Sequence, residues 1–236
     1  MIKKELIQRS PIRILEKSIH GGLGKGNLGV FTARKGTGKT ACLVHVATDK
    51  LLNDQNVLHI SFADNPNHIE TWYKQVFEEV AETYRLERAY EVYHEIIPKR
   101  LILHFKQRDR NFADIVKNID QIARPMNFSP QCLIVDGYPF DMVNPEQLAE
   151  WKSFARERDL EIWFSATLHR EDLQLDANGI PAPVNRFSDL FSVIIMLNPL
   201  KDFIGLKLLK DHDSKDVAKL RLKLDAKTLL IANRRV

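Results

Sequence analysis

The sequence predicts an α/β protein built as a doubly wound, mainly parallel sheet with helices on both faces and antiparallel strands added at its C-terminal end. Three observations predict it. Short, wholly apolar runs alternate with helix-length amphipathic segments from residue 28 to 166; a glycine-rich turn sits between the first run and the first long helix; and the apolar runs after Pro181 have no helix-length segments between them. Runs that are apolar on both alternating faces belong to strands covered from both sides, and helical crossovers provide that cover.

The elements follow in order. Residues 1–27 are mixed and end in His20-Gly21-Gly22-Leu23-Gly24-Lys25-Gly26-Asn27, whose glycines rule out a regular helix and predict a loop leading to the first strand. Leu28 to Thr32 forms that strand, and Lys39 to Leu52 carries Leu43, Val46, Ala47 and Leu51 at helical spacing. Val57 to Phe62 is a second strand. The acidic stretch Ile69 to Tyr93 repeats Trp72, Val76, Val80 and Tyr84 and predicts a helical region. Leu101 to Phe105, Cys132 to Asp136 and Glu161 to Ala166 are further strands, with helices over 112–122 and 145–158 between them. Val193 to Leu197, Ile204 to Leu209, Leu220 to Leu224 and Thr228 to Ile231 are expected as antiparallel additions. Without an internal repeat or a separating linker, residues 1–236 read as one domain with a lead-in segment over 1–27.

Composition narrows the function classes. With 44% hydrophobic and 28% charged residues the chain has the balance of an ordinary globular core. No window approaches the ~18 apolar residues of a membrane span, and the N-terminus lacks the apolar core of a signal peptide, so no membrane association and a cytoplasmic location are expected. Cys42 and Cys132 lie far apart in apolar runs without CxxC spacing and read as reduced core residues. The net charge of +4 suits phosphate-bearing partners but lacks the clustered basic stripe of a dedicated nucleic-acid binder.

The chemistry concentrates in Ala33-Arg34-Lys35-Gly36-Thr37-Gly38-Lys39-Thr40-Ala41. The pattern GxxxxGK[ST] is met except at its first position, where Ala33 replaces glycine. Glycines let backbone N–H groups turn inward around phosphates, and the helix starting at Lys39 adds its positive dipole end. Lys39 is expected on the β and γ phosphates of ATP and the Thr40 hydroxyl on Mg2+. Asp136 ends an apolar strand, where a carboxylate faces the magnesium shell at the carboxyl edge of an open sheet; the competing reading is the first residue of an Asp-Gly turn with Gly137.

Taken together these pieces resemble the RecA superfamily of P-loop ATPases, in the branch of the clock ATPase KaiC and the replicative helicase DnaB. Gly21-Gly22-Leu23-Gly24-Lys25-Gly26-Asn27-Leu28 is similar to the "GGl..G.l" that precedes the phosphate loop in that branch, and the resemblance spans roughly residues 15–232. It implies a RecA-like fold and an acid after the second strand that polarises the attacking water. The family's "F-E-E-S-P" reads here Phe62-Ala63-Asp64-Asn65-Pro66, so the first acid is missing and Asp64 is left as the base, with a shorter reach. The polar sensor falls on Thr167 in Thr167-Leu168-His169-Arg170. The late Lys-x-Arg pair that reaches a neighbouring subunit's site falls on Lys210-Asp211-His212, with His212 in place of arginine; a solvated strand edge is the alternative for both.

The resemblance therefore implies an ATP- and Mg2+-binding ATPase with weak turnover. It would assemble as a homo-oligomeric ring or filament and couple nucleotide state to a partner, single-stranded DNA or a protein. The alternative is a regulatory or scaffold module that binds ATP with little or no hydrolysis, favoured by Ala63 and His212.

Overall fold

The computed structural model describes residues 2–63, 65–109, 111–168, 174–214 and 217–233. Its strands are β1 (Asn27–Arg34), β2 (Val57–Ser61), β3 (Arg100–His104), β4 (Cys132–Asp136), β5 (Glu161–Leu168), β6 (Val193–Pro199), β7 (Ile204–Asp211), β8 (Leu222–Leu224) and β9 (Ile231–Asn233). Its α-helices are α1 (Ile2–Arg9), α2 (Ile12–Ser18), α3 (Lys39–Leu52), α4 (Pro66–Thr83), α5 (Ala89–Ile96), α6 (Phe112–Ala123) and α7 (Pro145–Glu157). The strands form one sheet in the order β3-β2-β4-β5-β1-β6-β7-β8-β9.

β3, β2, β4, β5, β1 and β6 are parallel, and β7, β8 and β9 continue the sheet antiparallel. Every residue of β2 and β4 is buried, as wholly apolar strands covered on both faces should be. One face carries α1 to α5, packing Leu6, Leu15, Leu43, Val46, Ile69 and Phe77 against Phe31, Ile134 and Trp163. The other carries α6 and α7, packing Ile115, Ile119, Leu148 and Trp151 against Leu28, Val30, Leu133 and Phe164. Helix starts are chemically marked: Asn65 and Asn111 cap α4 and α6, and Asn144 with Gln147 forms a capping box on α7, with Pro66 and Pro145 in the first turns.

The structure departs from the sequence expectation in three places. The lead-in is not a loop throughout: α1 and α2 occupy its first part, because Leu6, Ile12 and Leu15 bury against α3 and its neighbours, and only the glycine segment is irregular. The helical region 69–93 is broken into α4 and α5 by left-handed Arg85 and Arg88, at φ of 51° and 65°. β6 is not antiparallel but lies parallel beside β1, with Gly29 opposite Val193 and Thr32 opposite Met196. The connection before β6 needs no long helix because a short turn of 3-10 helix at Val184–Phe187 and its flanks bury Ile180, Val184, Phe187 and Phe191 on the α6–α7 face. The antiparallel expectation holds for β7, β8 and β9.

Close packing between β1 and β5 supplies one stability prediction. A Cβ placed on Gly29 would lie 2.6 Å from Cε3 of Trp163, which stacks on Phe31 with ring centroids 5.2 Å apart. Gly29→Ala should therefore destabilise the fold by about 1–3 kcal/mol through overpacking. Urea unfolding should show a lower midpoint at unchanged slope; an unchanged midpoint would mean that Trp163 moves aside freely.

Candidate functional site

The glycine-rich loop joins the carboxyl end of β1 to α3. Ala33 lies within β1, paired with Thr167 of β5, so the first motif position stays extended and needs no glycine. Gly36 and Gly38 do need to be glycine in backbone terms, with φ of 77° and 92°. Gly38 is also the N-cap of α3 and lies under Leu224 of β8. The side chains of Arg34 and Lys35 are exposed, while Thr37 and Ala41 are buried.

Lys39 is the first residue of α3 and is only 9% exposed. Its Nζ donates to the carbonyl oxygens of Ala33 at 3.1 Å and Arg34 at 3.0 Å, so the ammonium is folded back under the loop. Burial lowers the lysine's pKa from its ordinary value, partly opposed by the negative charge of Asp136.

Asp136, at the carboxyl end of β4, is 3% exposed and is held from two sides. Thr40 Oγ1 donates to its Oδ2 at 2.8 Å, and Ser165 Oγ on β5 donates to its Oδ1. Ser165 Oγ in turn accepts from the Gly137 N–H at 2.8 Å. The structure therefore joins three strand ends and the first turn of α3 in one polar chain. Ser165 was not among the residues singled out by sequence; its signal was a lone hydroxyl inside the apolar run Trp163-Phe164-Ser165-Ala166.

A cleft of about 820 Å³ opens over this chain, lined by Lys39, Thr40, Ala63, Asp136, Ser165 and Thr167 among others. Its far side is aromatic, with Phe62, Trp72 and Tyr138. Ala63 is exposed to the cleft and its N–H donates to Ser61 Oγ at 3.3 Å. Gly137 faces it at φ 72°, and a Cβ there would come 2.7 Å from the Ala63 methyl. Asp64, His169 and Arg170 lie outside the described residues. Thr167 is brought to the cleft, exposed near the end of β5.

Lys210 and His212 are not brought to the loop within one chain. β7 runs antiparallel to β6, with Lys210 opposite Ile194 and Asp211 opposite Val193, which places both residues at the amino-terminal ends of the parallel strands. Lys210 Nζ donates to the Ser188 carbonyl at 2.7 Å. His212 contacts Asp211 Oδ1 through Nδ1 at 2.8 Å and the Leu23 carbonyl through Nε2 at 3.1 Å. The buried Asp211 also receives His20 Nδ1 at 2.6 Å, so this cluster ties the glycine lead-in to the sheet edge.

Cys42 and Cys132 are free and buried, and burial pushes the Cys42 thiol up to about 12. Among the described residues, no three His, Cys, Asp or Glu side chains converge as a metal cage, and no helix is long and apolar enough to cross a membrane. A family model described as "AAA domain" matches residues 4–140, which run from α1 through the loop and Lys39 to Asp136. No curated protein matches the chain.

Proposed function

The chain belongs to the AAA domain family, whose P-loop ATPase type makes it a nucleotide-binding protein, and from that premise we propose a RecA-like ATPase of the KaiC/DnaB branch. In this reading it binds ATP with Mg2+ between Ala33 and Ala41, assembles as a ring or filament, and couples nucleotide state to a partner, with single-stranded DNA the first to test. One observation carries the ATP and magnesium part: the Thr40 hydroxyl and the Asp136 carboxylate meet at 2.8 Å directly beside Lys39 and the glycine turn.

The donor set suits the ion. A hydroxyl and a carboxylate are hard oxygen ligands, and magnesium is commonly held by one or two such groups plus substrate phosphates rather than by an all-protein cage. Magnesium bound there would neutralise charge on the β and γ phosphates. Asp136 is oriented for this by Ser165, which the Gly137 amide holds in turn. Lys39 is buried and pre-placed under the loop, and on nucleotide binding it exchanges neutral carbonyl acceptors for anionic phosphate oxygens, which make stronger hydrogen bonds. Thr40→Ala should accordingly lower ATP affinity about ten-fold or more in magnesium and leave it nearly unchanged in EDTA. Equal losses in both conditions, read by fluorescent-nucleotide titration, would remove Thr40 from the metal.

The second reading, a regulatory module with little or no hydrolysis, is favoured by Ala63. A methyl group stands where the resemblance places the water-polarising acid, and it packs close against Gly137. The test is steady-state ATP turnover with and without single-stranded DNA, alongside Asp64→Ala. DNA-stimulated turnover lost in Asp64→Ala supports the coupled ATPase; tight binding with negligible turnover in every condition leaves the regulatory module. Assembly is tested by mixing Lys210→Ala with Lys39→Ala protein, where recovered turnover supports a shared site between subunits.

A further inference from the structure

The end of the sheet opposite the cleft holds three cations that the nucleotide site does not use. Lys152 on α7 donates from Nζ to Asn27 Oδ1 at 2.8 Å and to Ser192 Oγ at 3.3 Å. Ser192 Oγ donates to the same Asn27 Oδ1 at 2.9 Å, so Lys152 sits on a small platform of neutral oxygens. Lys210, near the end of β7, donates to the Ser188 carbonyl at 2.7 Å. Arg156, one turn along α7 from Lys152, is exposed and packs its stem against Gly26, where an added Cβ would meet Arg156 Cγ at 3.2 Å.

What the three lack is as informative as what they have. Elsewhere on the described surface the ordinary arrangement is a cation against a carboxylate: Lys25 with Asp159, Arg158 with Asp120, Arg88 with Glu91, Lys50 with Glu161. None of Lys152, Arg156 and Lys210 has such an ion pair among the described residues; the two lysines are held by uncharged oxygens. They are also close enough to repel. Burial first, then the positive charges of Arg156 and Lys210, lower the Lys152 pKa from its ordinary value, and Asp213 only partly opposes them. Like charges gathered around neutral acceptors raise the local positive potential, and a dianion relieves that repulsion with bonds stronger than those to neutral oxygens.

We infer that Lys152, Arg156 and Lys210 form a second anion site, for a phosphate-type oxyanion, on the face of the protein opposite the nucleotide cleft. Lys152 and Lys210 supply compact ammonium donors from two different elements, and Arg156 adds a planar fork that can grip two oxygens of one phosphate. The site stands independently of ATP binding. Its phosphate can come free from solution or from a nucleotide held by a second copy of the chain.

The test uses the full chain carrying Lys39→Ala, so that the phosphate loop contributes least, with pyrophosphate as the probe in isothermal titration at low and moderate salt. One saturable site is expected, weakened at least ten-fold by Lys152→Gln and by Arg156→Gln and lost when both are combined. Both substitutions keep a polar side chain, and circular dichroism with thermal unfolding confirms that each variant is folded. No saturable binding, or binding that the double substitution leaves unchanged, overturns the proposal. A second arm distinguishes the sources: wild-type protein loaded with a non-hydrolysable ATP analogue is added to fluorescently labelled Lys39→Ala protein in sedimentation. Association that requires the analogue and is lost in Lys39→Ala/Lys152→Gln/Arg156→Gln assigns the phosphate to a second copy; pyrophosphate binding without such association assigns the site to the free anion.

Discussion

Lys39→Ala is expected to weaken ATP binding by about a hundred- to a thousand-fold, the largest single-residue effect on nucleotide affinity in the chain. Hydrogen bonds to charged groups are each worth roughly 1.5–3 kcal/mol, and two such bonds to phosphate oxygens correspond to that range of affinity at about 1.4 kcal/mol per factor of ten. The effect on folding should be far smaller. The ammonium is mostly buried and its pKa is lowered by that burial, so its removal relieves a desolvation penalty while it leaves the Ala33 and Arg34 carbonyls without one donor each. Those opposing changes should leave the unfolding midpoint within about 1 kcal/mol of the parent, in line with the net worth of ordinary hydrogen bonds. Titration of the purified variant with a fluorescent ATP analogue, beside its urea unfolding curve, separates the two. Unchanged affinity would show that the loop holds nucleotide by its backbone alone; an affinity loss accompanied by an equal loss of stability would make Lys39 a structural residue.

The parts of the structure that could be read in the sequence are those dictated by local chemistry. β4 and α3 begin and end where the apolar run and the helical spacing put them, at Cys132–Asp136 and Lys39–Leu52. The loop between β1 and α3 was legible because its glycines answer to a backbone requirement, the positive φ at Gly36 and Gly38. The pairing of Thr40 with Asp136 was legible only in outline: strand-end position suggested that they face one region, and the distance of 2.8 Å is a tertiary fact. Ser165 was hidden because a hydroxyl in a buried strand has no sequence pattern of its own, and its partner lies 29 residues away. β6 was misread because parallel strands are expected to be joined by a helix, and here Phe187, Phe191 and their neighbours cover the sheet without one. The pairing of Asp211 with both His20 and His212 joins positions up to 191 residues apart, beyond the reach of any local pattern.

Acid should unfold this protein well before its surface carboxylates are protonated, because two histidines are locked in neutral form in the core. His59, in the middle of β2, is fully buried; Nδ1 meets the Tyr73 hydroxyl at 3.0 Å and Nε2 has no hydrogen-bond partner. Burial, and then the positive charge of Arg100, push its pKa down to about 3. His45 on α3 is pushed down to about 4 by burial, against the small opposing pull of the Leu229 carbonyl. Both folded values lie below the unfolded value of 6.5. The stability they represent is therefore complete above pH 6.5 and is lost as pH falls toward 4 and 3, while the unfolded chain takes up protons that the folded chain refuses. At about 1.4 kcal/mol per unit, His45 alone represents on the order of 3 kcal/mol, a large part of the roughly 5–15 kcal/mol that holds a typical domain together. Glu16 and Asp49, whose pKa values burial raises, offset part of the loss as they take up protons in the folded state. His45 links this instability to the nucleotide site. Its Nε2 lies 3.1 Å from the Leu229 carbonyl and 3.3 Å from the Ile231 N–H, and a proton there serves the first while it repels the second. The turn so disturbed sets Leu224 and Leu229 against Gly38, so loosening it exposes the glycine loop. Urea unfolding from pH 7.5 to 4.5 should show a falling free energy whose slope approaches two protons per molecule near pH 5.5. His45→Gln keeps a donor and an acceptor on one side chain and should remove one proton from that slope, with ATP affinity less sensitive to acid than in the parent. A free energy flat across that range would mean that neither imidazole is held neutral by the fold.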